Sequence, residues 1–367
     1  MKRMDLQHTK WHGNICTIDK LAKYIRLRPA ERRVMEQVVK LHPMLITKYY
    51  LSLINRRDPH DPIRKMIVPS PEEINLEGVY DTSGEARNTK LPGLQHKYRQ
   101  TALILSTNRC AAYCRFCFRK RLVGLPSTEI LRLFNNAAEY IKKHHEINNV
   151  LISGGDPFIL PTRVLSKFLE KLSPIKHLDF IRFGTRTPVA FPRRILRDPS
   201  LPKLLKKYSK KNRRMYVVTH FNHPREITPM SIAAVDTLLK SGVIVNNQTV
   251  LMKGVNDSPK VLAELLSRLV GIGVNPYYVF QCRPVRRVKH HFQVPFVRAV
   301  PIVEGARRLL NGHSKRFKYC MSHRTGKIEI IGIVGKHLLL KYHQAKNPRD
   351  LNRIFTRRLA PQAGWLD

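Results

Sequence analysis

The sequence predicts an α/β protein built on a partial (β/α)6 barrel, with a helical extension before it and a further segment after it. Three observations lead there. The chain has 367 residues, 43% hydrophobic and 25% charged, which is ordinary globular composition and enough for one large domain with an extension. Six apolar β-type runs alternate with five amphipathic helical stretches, the rhythm of βαβ units in a parallel sheet. Three closely spaced cysteines follow the first of those runs, at the strand end where barrel active sites are built.

Residues 1–95 read as a helical extension and connector. Residues 18–39 mix apolar and basic residues at helical spacing, and 43–54 form a second amphipathic candidate. Residues 55–92, rich in Pro, Asp, Gly and Ser, read as an irregular connector. The barrel occupies residues 96–285. Its β-type runs are 101–106, 149–153, 180–185, 215–219, 244–251 and 276–281, and the helical stretches between them are 129–145, 163–171, 201–211, 231–241 and 260–272. In residues 286–367 two more candidate strands, 317–321 and 328–334, flank a turn at Thr325-Gly326, and the basic tail from His343 is expected to be helical in part. No internal repeat or low-complexity tract interrupts this order.

The charge balance is far from ordinary. There are 67 Lys and Arg against 26 Asp and Glu, a formal net charge of +41. Such a field attracts anions: nucleic acid, acidic proteins, anionic membranes and acidic substrates. The plain alternative is solvated surface spread over the fold. A run of Lys203, Lys206, Lys207, Lys210, Lys211, Arg213 and Arg214 reads as the polar face and end of a helix, where cations also suit the dipole. No nucleic-acid motif or aromatic platform accompanies it, so nucleic acid is the minor alternative. The basic start, Met1 to Asp5, lacks the apolar core of a signal peptide, and no stretch approaches the roughly 20 apolar residues of a membrane span. The six cysteines are unevenly scattered, which favours reduced cytoplasmic thiols with a metal role over a disulfide framework.

Residues 108–119 read Asn-Arg-Cys-Ala-Ala-Tyr-Cys-Arg-Phe-Cys-Phe-Arg, a C-x3-C-x2-C pattern. Soft thiolates suit iron–sulfur clusters. Three cannot occupy all four irons of a cubane, so one iron is left for an exogenous ligand. Structural zinc would want a fourth Cys or His at loop spacing, and none is present.

This loop resembles that of the radical S-adenosylmethionine (SAM) superfamily. The resemblance implies that Cys110, Cys114 and Cys117 hold a 4Fe-4S cluster that reductively cleaves SAM, and that Phe116 borders the adenine. Ser153-Gly-Gly-Asp-Pro157 follows the second barrel run and resembles the superfamily segment that receives the amino group of SAM, which singles out Gly154, Gly155 and Asp156. Paired glycines allow close approach at a strand end. Segments 181–188, 219–224 and 246–257, with 49–54 and 273–278, extend the likeness over roughly residues 43–335. They resemble the lysine 2,3-aminomutase family. That likeness implies that His220 and Gln248 line the SAM side of the pocket; judged by its residue type alone, His220 is also a candidate core histidine.

Enzymes of that family also use pyridoxal phosphate (PLP), joined to a lysine after a glycine-rich turn. The corresponding segment here is Ser322-His-Arg-Thr-Gly-Lys327, with one glycine, and Lys327 is the candidate. Nearby positive charge would favour its neutral amine. Residues 95–99 resemble the phosphate-contacting segment, with Lys97 and Tyr98 matching. Thr101 stands where an arginine is usual, which makes Arg99 the candidate substitute. Arg119 matches the arginine that takes the substrate α-carboxylate, a role suited to a guanidinium fork.

The departures concern the substrate. Two aspartates that hold the distal ammonium of lysine in the lysine enzymes correspond here to Arg283 and Cys320. Like charges in contact cost roughly several kcal/mol, so lysine is disfavoured. A distal anion, as in glutamate or another acidic amino acid, suits Arg283. No cysteine follows Cys320, so the C-terminal zinc of the lysine enzymes is not expected, and the subunit contact of the expected homo-oligomer would differ.

The resemblance therefore implies a cytoplasmic radical SAM, PLP-dependent 2,3-aminomutase acting on a small amino acid. It would be served by an electron donor such as flavodoxin or ferredoxin, with no membrane partner. Two alternatives stay open at this point. One is a PLP-independent radical SAM enzyme acting on a peptide or nucleic acid. The other is a non-catalytic basic iron–sulfur protein that binds nucleic acid.

Overall fold

The computed structural model describes residues 14–366; the basic start at Met1 to Asp5 lies outside the described residues. Twelve strands form one sheet in sequence order. They are β1 (Thr89–Leu91), β2 (Leu94–Tyr98), β3 (Thr101–Thr107), β4 (Asn149–Gly154), β5 (Phe180–Gly184), β6 (Tyr216–Thr219), β7 (Ile244–Leu251), β8 (Asn275–Gln281), β9 (Lys318–His323), β10 (Gly326–Val334), β11 (His337–Ala345) and β12 (Ile354–Arg358). Strands β3 to β9 pair in parallel, while β1–β3 and β9–β12 form antiparallel borders. Among the described residues no pair joins the two ends of the sheet, so β3–β8 make the expected partial barrel.

Parallel neighbours require crossovers, and helices supply them. Phe134–Lys143, Thr162–Leu172, Ser200–Tyr208, Pro229–Lys240, Pro259–Gly271 and Phe296–Arg308 connect β3 through β9 in turn. Thr162–Leu172 shows why they pack: Val164, Leu165, Phe168, Leu169 and Leu172 repeat at helical spacing and are buried. Along β7 the pattern switches to period two. Val245, Asn247, Thr249 and Leu251 are buried, while Gln248 and Val250, on the other face, line the central cavity. Of the strand's polar residues, Gln248 is thus turned toward the site.

Four sequence expectations are corrected. The helical reading of 18–39 breaks before Pro29, which starts the helix Pro29–Leu41 and holds Arg28 extended. Only Lys48–Ser52 of 43–54 is helical, because Ile46 pairs with Ile15 instead. The helix expected from 129 begins at Phe134, since the Leu131 N–H donates to the Leu105 carbonyl and Glu129 is drawn to Arg121. The tail from His343 is β rather than helical, with a single 3-10 turn, Pro348–Asp350. Leu338, Leu340 and Tyr342 alternate inward on β11, and β12 pairs with it.

The connector that looked merely irregular carries three buried acids, Asp61, Glu73 and Glu85. Glu73 accepts from Arg115 Nε at 2.8 Å and Nη2 at 2.7 Å, and from Lys120. Burial alone would raise its carboxyl pKa, but Arg115 and Lys120 outweigh that and bring it to about 2. Arg115 also donates to the carbonyls of His42 and Pro43, so the extension is fastened to the cysteine loop. Glu73→Ala would strand two buried cations and is expected to cost roughly 3–5 kcal/mol, read as a lower urea midpoint of the apoprotein; a midpoint equal to wild type would refute this.

Candidate active site

Loops at the carboxyl ends of the parallel strands surround a cavity of about 330 Å³. Its walls include Cys110, Cys114, Cys117, Phe116, Gly154, Gly155, Asp156, His220, Gln248, Lys97, Tyr98, Arg119, Arg283 and Lys327. Residues spread over more than 200 positions thus meet at one mouth, because consecutive strand ends deliver them there.

The cysteine loop leaves β3 and is tied down by its backbone. Tyr113 N–H donates to Leu45 O, Arg115 N–H to Met66 O, and Gly124 N–H to Asn108 O. All three thiols are free. Burial pushes each of them up, Cys117 to about 11; neighbouring thiolates add to the rise at Cys110 and Cys117, while Arg186 opposes it at Cys114. Held thiolates here need compensating positive charge, which an iron cluster supplies. Among the described residues no three His, Cys, Asp or Glu side chains are drawn together around a single ion; a cubane takes one thiolate per iron.

The glycine pair serves this loop. At Gly154, φ is +117°, and a Cβ would lie 2.4 Å from Thr107 O; at Gly155 it would lie 2.2 Å from Arg109 O. The glycines are therefore demanded by the crossing of two backbones as well as by the cavity. Asp156 is fully engaged: Thr185 Oγ1 donates to it at 2.6 Å, Thr187 Oγ1 at 3.0 Å, and the Arg186 N–H at 2.8 Å. Its carboxylate shapes the loop after β5.

His220 stands at the end of β6, its ring edge-on to Phe116 at 5.5 Å. Its Nε2 is buried with no partner, and burial, then Arg186, lowers its pKa to about 3. A neutral imidazole with a vacant nitrogen suits a polar ligand, not a satisfied core. Gln248 faces the same cavity.

Lys327 enters from β10. Its Nζ lies 4.0 Å from the Tyr278 ring centroid and 5.2 Å from that of Phe280. Burial lowers its pKa to about 7, with Arg182 and Arg283 pushing the same way and Cys320 opposing. One glycine suffices before it, because a Cβ on Gly326 would meet Gln344 O at 2.3 Å across the β10–β11 pair. Lys97 Nζ donates to the His323 carbonyl at 2.5 Å and the Ser83 carbonyl at 3.3 Å. Burial, then Arg283 and Lys327, takes its pKa to about 7 as well.

Arg119 and Arg283 share one ring: their guanidinium carbons lie 4.6 and 4.1 Å from the Phe118 centroid. Arg119 is already engaged by Glu85, by Gly154 O at 3.1 Å and by Ser153 Oγ at 3.4 Å. Arg283 keeps a buried Nη1 without a partner.

Sequence reasoning missed Glu85, Phe118, Arg182 and Arg186. Arg182 lines the cavity with its Nε buried and unpartnered. A charged residue inside the apolar run of β5 was the available signal. Arg99, the candidate phosphate contact, is a correction: it is exposed and lies outside the cavity, since it falls in the turn between β2 and β3.

Known proteins resemble this chain over most of its length. Residues 104–266 match the Radical SAM superfamily. The chain is 42% identical over 347 residues to a protein of Aquifex aeolicus to which L-lysine 2,3-aminomutase activity is provisionally ascribed, covering 94% of this chain and 92% of that one. It is 38% identical to L-lysine 2,3-aminomutase of Clostridium subterminale, covering 84% and 74%, and 36% identical to glutamate 2,3-aminomutase of Clostridioides difficile, covering 78% and 67%. This chain belongs to the radical SAM, lysine 2,3-aminomutase-like family. Membership makes it an enzyme of the aminomutase kind and implies a 4Fe-4S cluster, SAM and PLP. The residues present fit all three: three free thiols in one loop, a vacant imidazole nitrogen beside Phe116, and a lysine poised to be neutral among cations. No helix among the described residues is long and apolar enough to cross a membrane.

A role for Lys327 in holding PLP carries an expected pH dependence. Below its pKa of about 7 Lys327 is mostly ammonium; above it the amine is free to react. The rate at which PLP becomes fixable by borohydride to the apoprotein should therefore rise through pH 7 and level off above it. A rate that keeps climbing toward pH 10 would show an ordinary solvated lysine.

Proposed function

We propose that this enzyme moves the amino group between the α- and β-carbons of a free amino acid whose side chain ends in an anion, glutamate foremost. The observation that carries the substrate class is Arg283: a buried guanidinium nitrogen without a partner on a residue that lines the cavity, at the position that the family resemblance equates with an aspartate holding the ammonium in the lysine enzymes. An ammonium there would face Arg283, Arg119 and Lys97 with Glu85 as the nearby acid, and Glu85 is already paired with Arg119 and Arg121. The name of the Clostridioides difficile relative supports the same class.

When bound, the cluster and SAM supply a carbon radical, and PLP supplies the electronic route for the migrating nitrogen. The chain's own residues bind and orient. Cys110, Cys114 and Cys117 hold the cluster; Phe116, Gly154, Gly155, His220 and Gln248 border SAM, with Asp156 shaping the adjoining loop. Lys327 attaches PLP, with Tyr278 and Phe280 flanking its amine. Lys97, Tyr98 and Arg182 meet the phosphate, Arg182 standing in for the arginine absent at position 101. Arg119, held by Glu85, presents its remaining N–H to the α-carboxylate, and Arg283 takes the distal carboxylate. The largely apolar walls of the cavity limit water. Free thiols fit the reducing cytoplasm, where a flavodoxin- or ferredoxin-type donor would supply the electron.

The test is direct. The protein reconstituted anaerobically with iron, sulfide and PLP is given dithionite, SAM and either glutamate or lysine. β-Glutamate with 5′-deoxyadenosine is the expected outcome; β-lysine with glutamate inert would overturn the substrate assignment.

A further inference from the structure

Arg186, two residues past β5, donates from Nη1 to the Sγ of Cys114 at 2.9 Å. Its other nitrogens are committed: Nη2 to the Tyr50 hydroxyl at 2.7 Å and to the Glu226 carboxylate, and Nε to the His220 carbonyl at 3.3 Å. The guanidinium lies 4.9 Å from the Tyr50 ring centroid and 5.6 Å from that of Phe116. Glu226 is fully buried and is fixed by the Tyr50 hydroxyl and by the N–H groups of Asn222 and His223. A cation and its counter-charge are thus held rigidly against one cysteine sulfur, with little water to screen them.

We propose that Arg186 and Glu226 set the reduction potential of the cluster that Cys114 helps to hold, Arg186 raising it and Glu226 restraining it. The proposal rests on the cluster assignment of the three cysteines, not on the substrate. Reduction adds one electron to the cluster from an external reductant, with no bond made or broken at the protein. A cationic donor on a ligating sulfur stabilises the more negative, reduced cluster. A carboxylate on the far side of that cation cancels part of the effect. Arg186 is a positioning residue: it touches a cluster ligand and leaves substrate chemistry to other side chains. Tyr50 extends the network to the helix Lys48–Ser52, so the N-terminal extension helps hold the cation in place.

The experiment is an EPR-monitored redox titration of the anaerobically reconstituted, SAM-free, full-length protein. Arg186→Gln should move the midpoint to more negative potential, Glu226→Gln to more positive potential, and Arg186→Lys should stay near wild type. A role confined to folding predicts no such opposition of sign. Should Arg186→Gln fail to assemble a cluster, Glu226→Gln decides, and a midpoint at or below the wild-type value overturns the proposal. Variants that all match wild type, or that move in one direction, overturn it too. A wild-type protein that forms no cluster would remove the family chemistry itself; a wild-type cluster with unmoved variants removes only this proposal.

Discussion

Lys327→Ala is expected to abolish covalent retention of PLP. After borohydride treatment, peptide mapping of the wild type should place the cofactor mass on the peptide containing Lys327, and the variant should carry none. Formation of the β-amino acid should fall on the order of 10³-fold or more, the scale of removing a positioned nucleophile. Slow 5′-deoxyadenosine release under dithionite should survive, because the cysteine loop follows β3 and its cysteines are supplied by a segment remote in the chain from β10. The fold should survive as well, since the substitution removes an amine whose protonation is opposed by burial, Arg182 and Arg283. PLP still fixed to the variant at another peptide would strike Lys327 from this role.

Arg283→Met should be the most damaging change to substrate choice. Losing the buried partner of a carboxylate costs about 2–5 kcal/mol, so kcat/KM for the acidic substrate should fall roughly 30- to 5,000-fold. The loss should be much smaller for an amino acid of similar length with a neutral side chain. A second consequence follows from charge: Arg283 depresses the pKa of both Lys327 and Lys97, so the half-rise of PLP capture should move above pH 7 in the variant. Equal losses for acidic and neutral substrates, with an unmoved pH profile, would mean that Arg283 does not face the distal group.

The βα rhythm was legible because period-two and period-3.6 patterns report burial directly. Six strands and their crossover helices fall close to where the periodicity puts them, as in β7 and the helix Pro259–Gly271. Errors gathered where backbone pairing overrode helical periodicity, at 43–54, at 129–133 and in the tail beyond His343. The single glycine before Lys327 is the position where the antiparallel β10–β11 pair leaves no room for a Cβ, which would meet Gln344 O at 2.3 Å.

By itself the sequence determined the cysteine loop and the order of strands and helices, because both are carried by residue type and local spacing; the candidate lysine and the charge at position 283 were legible only through the resemblance to the aminomutase family. Only the tertiary structure decided how the charges are balanced. With 26 acids against 67 bases, any arginine could have been surface ornament. Instead Glu73 is spent on Arg115 and Lys120, Glu85 on Arg119 and Arg121, and Glu226 on Arg186, across separations of 34 to 47 residues. Which guanidinium is left open to a ligand depends on which acids are desolvated beside the others, and one-dimensional spacing holds no record of that.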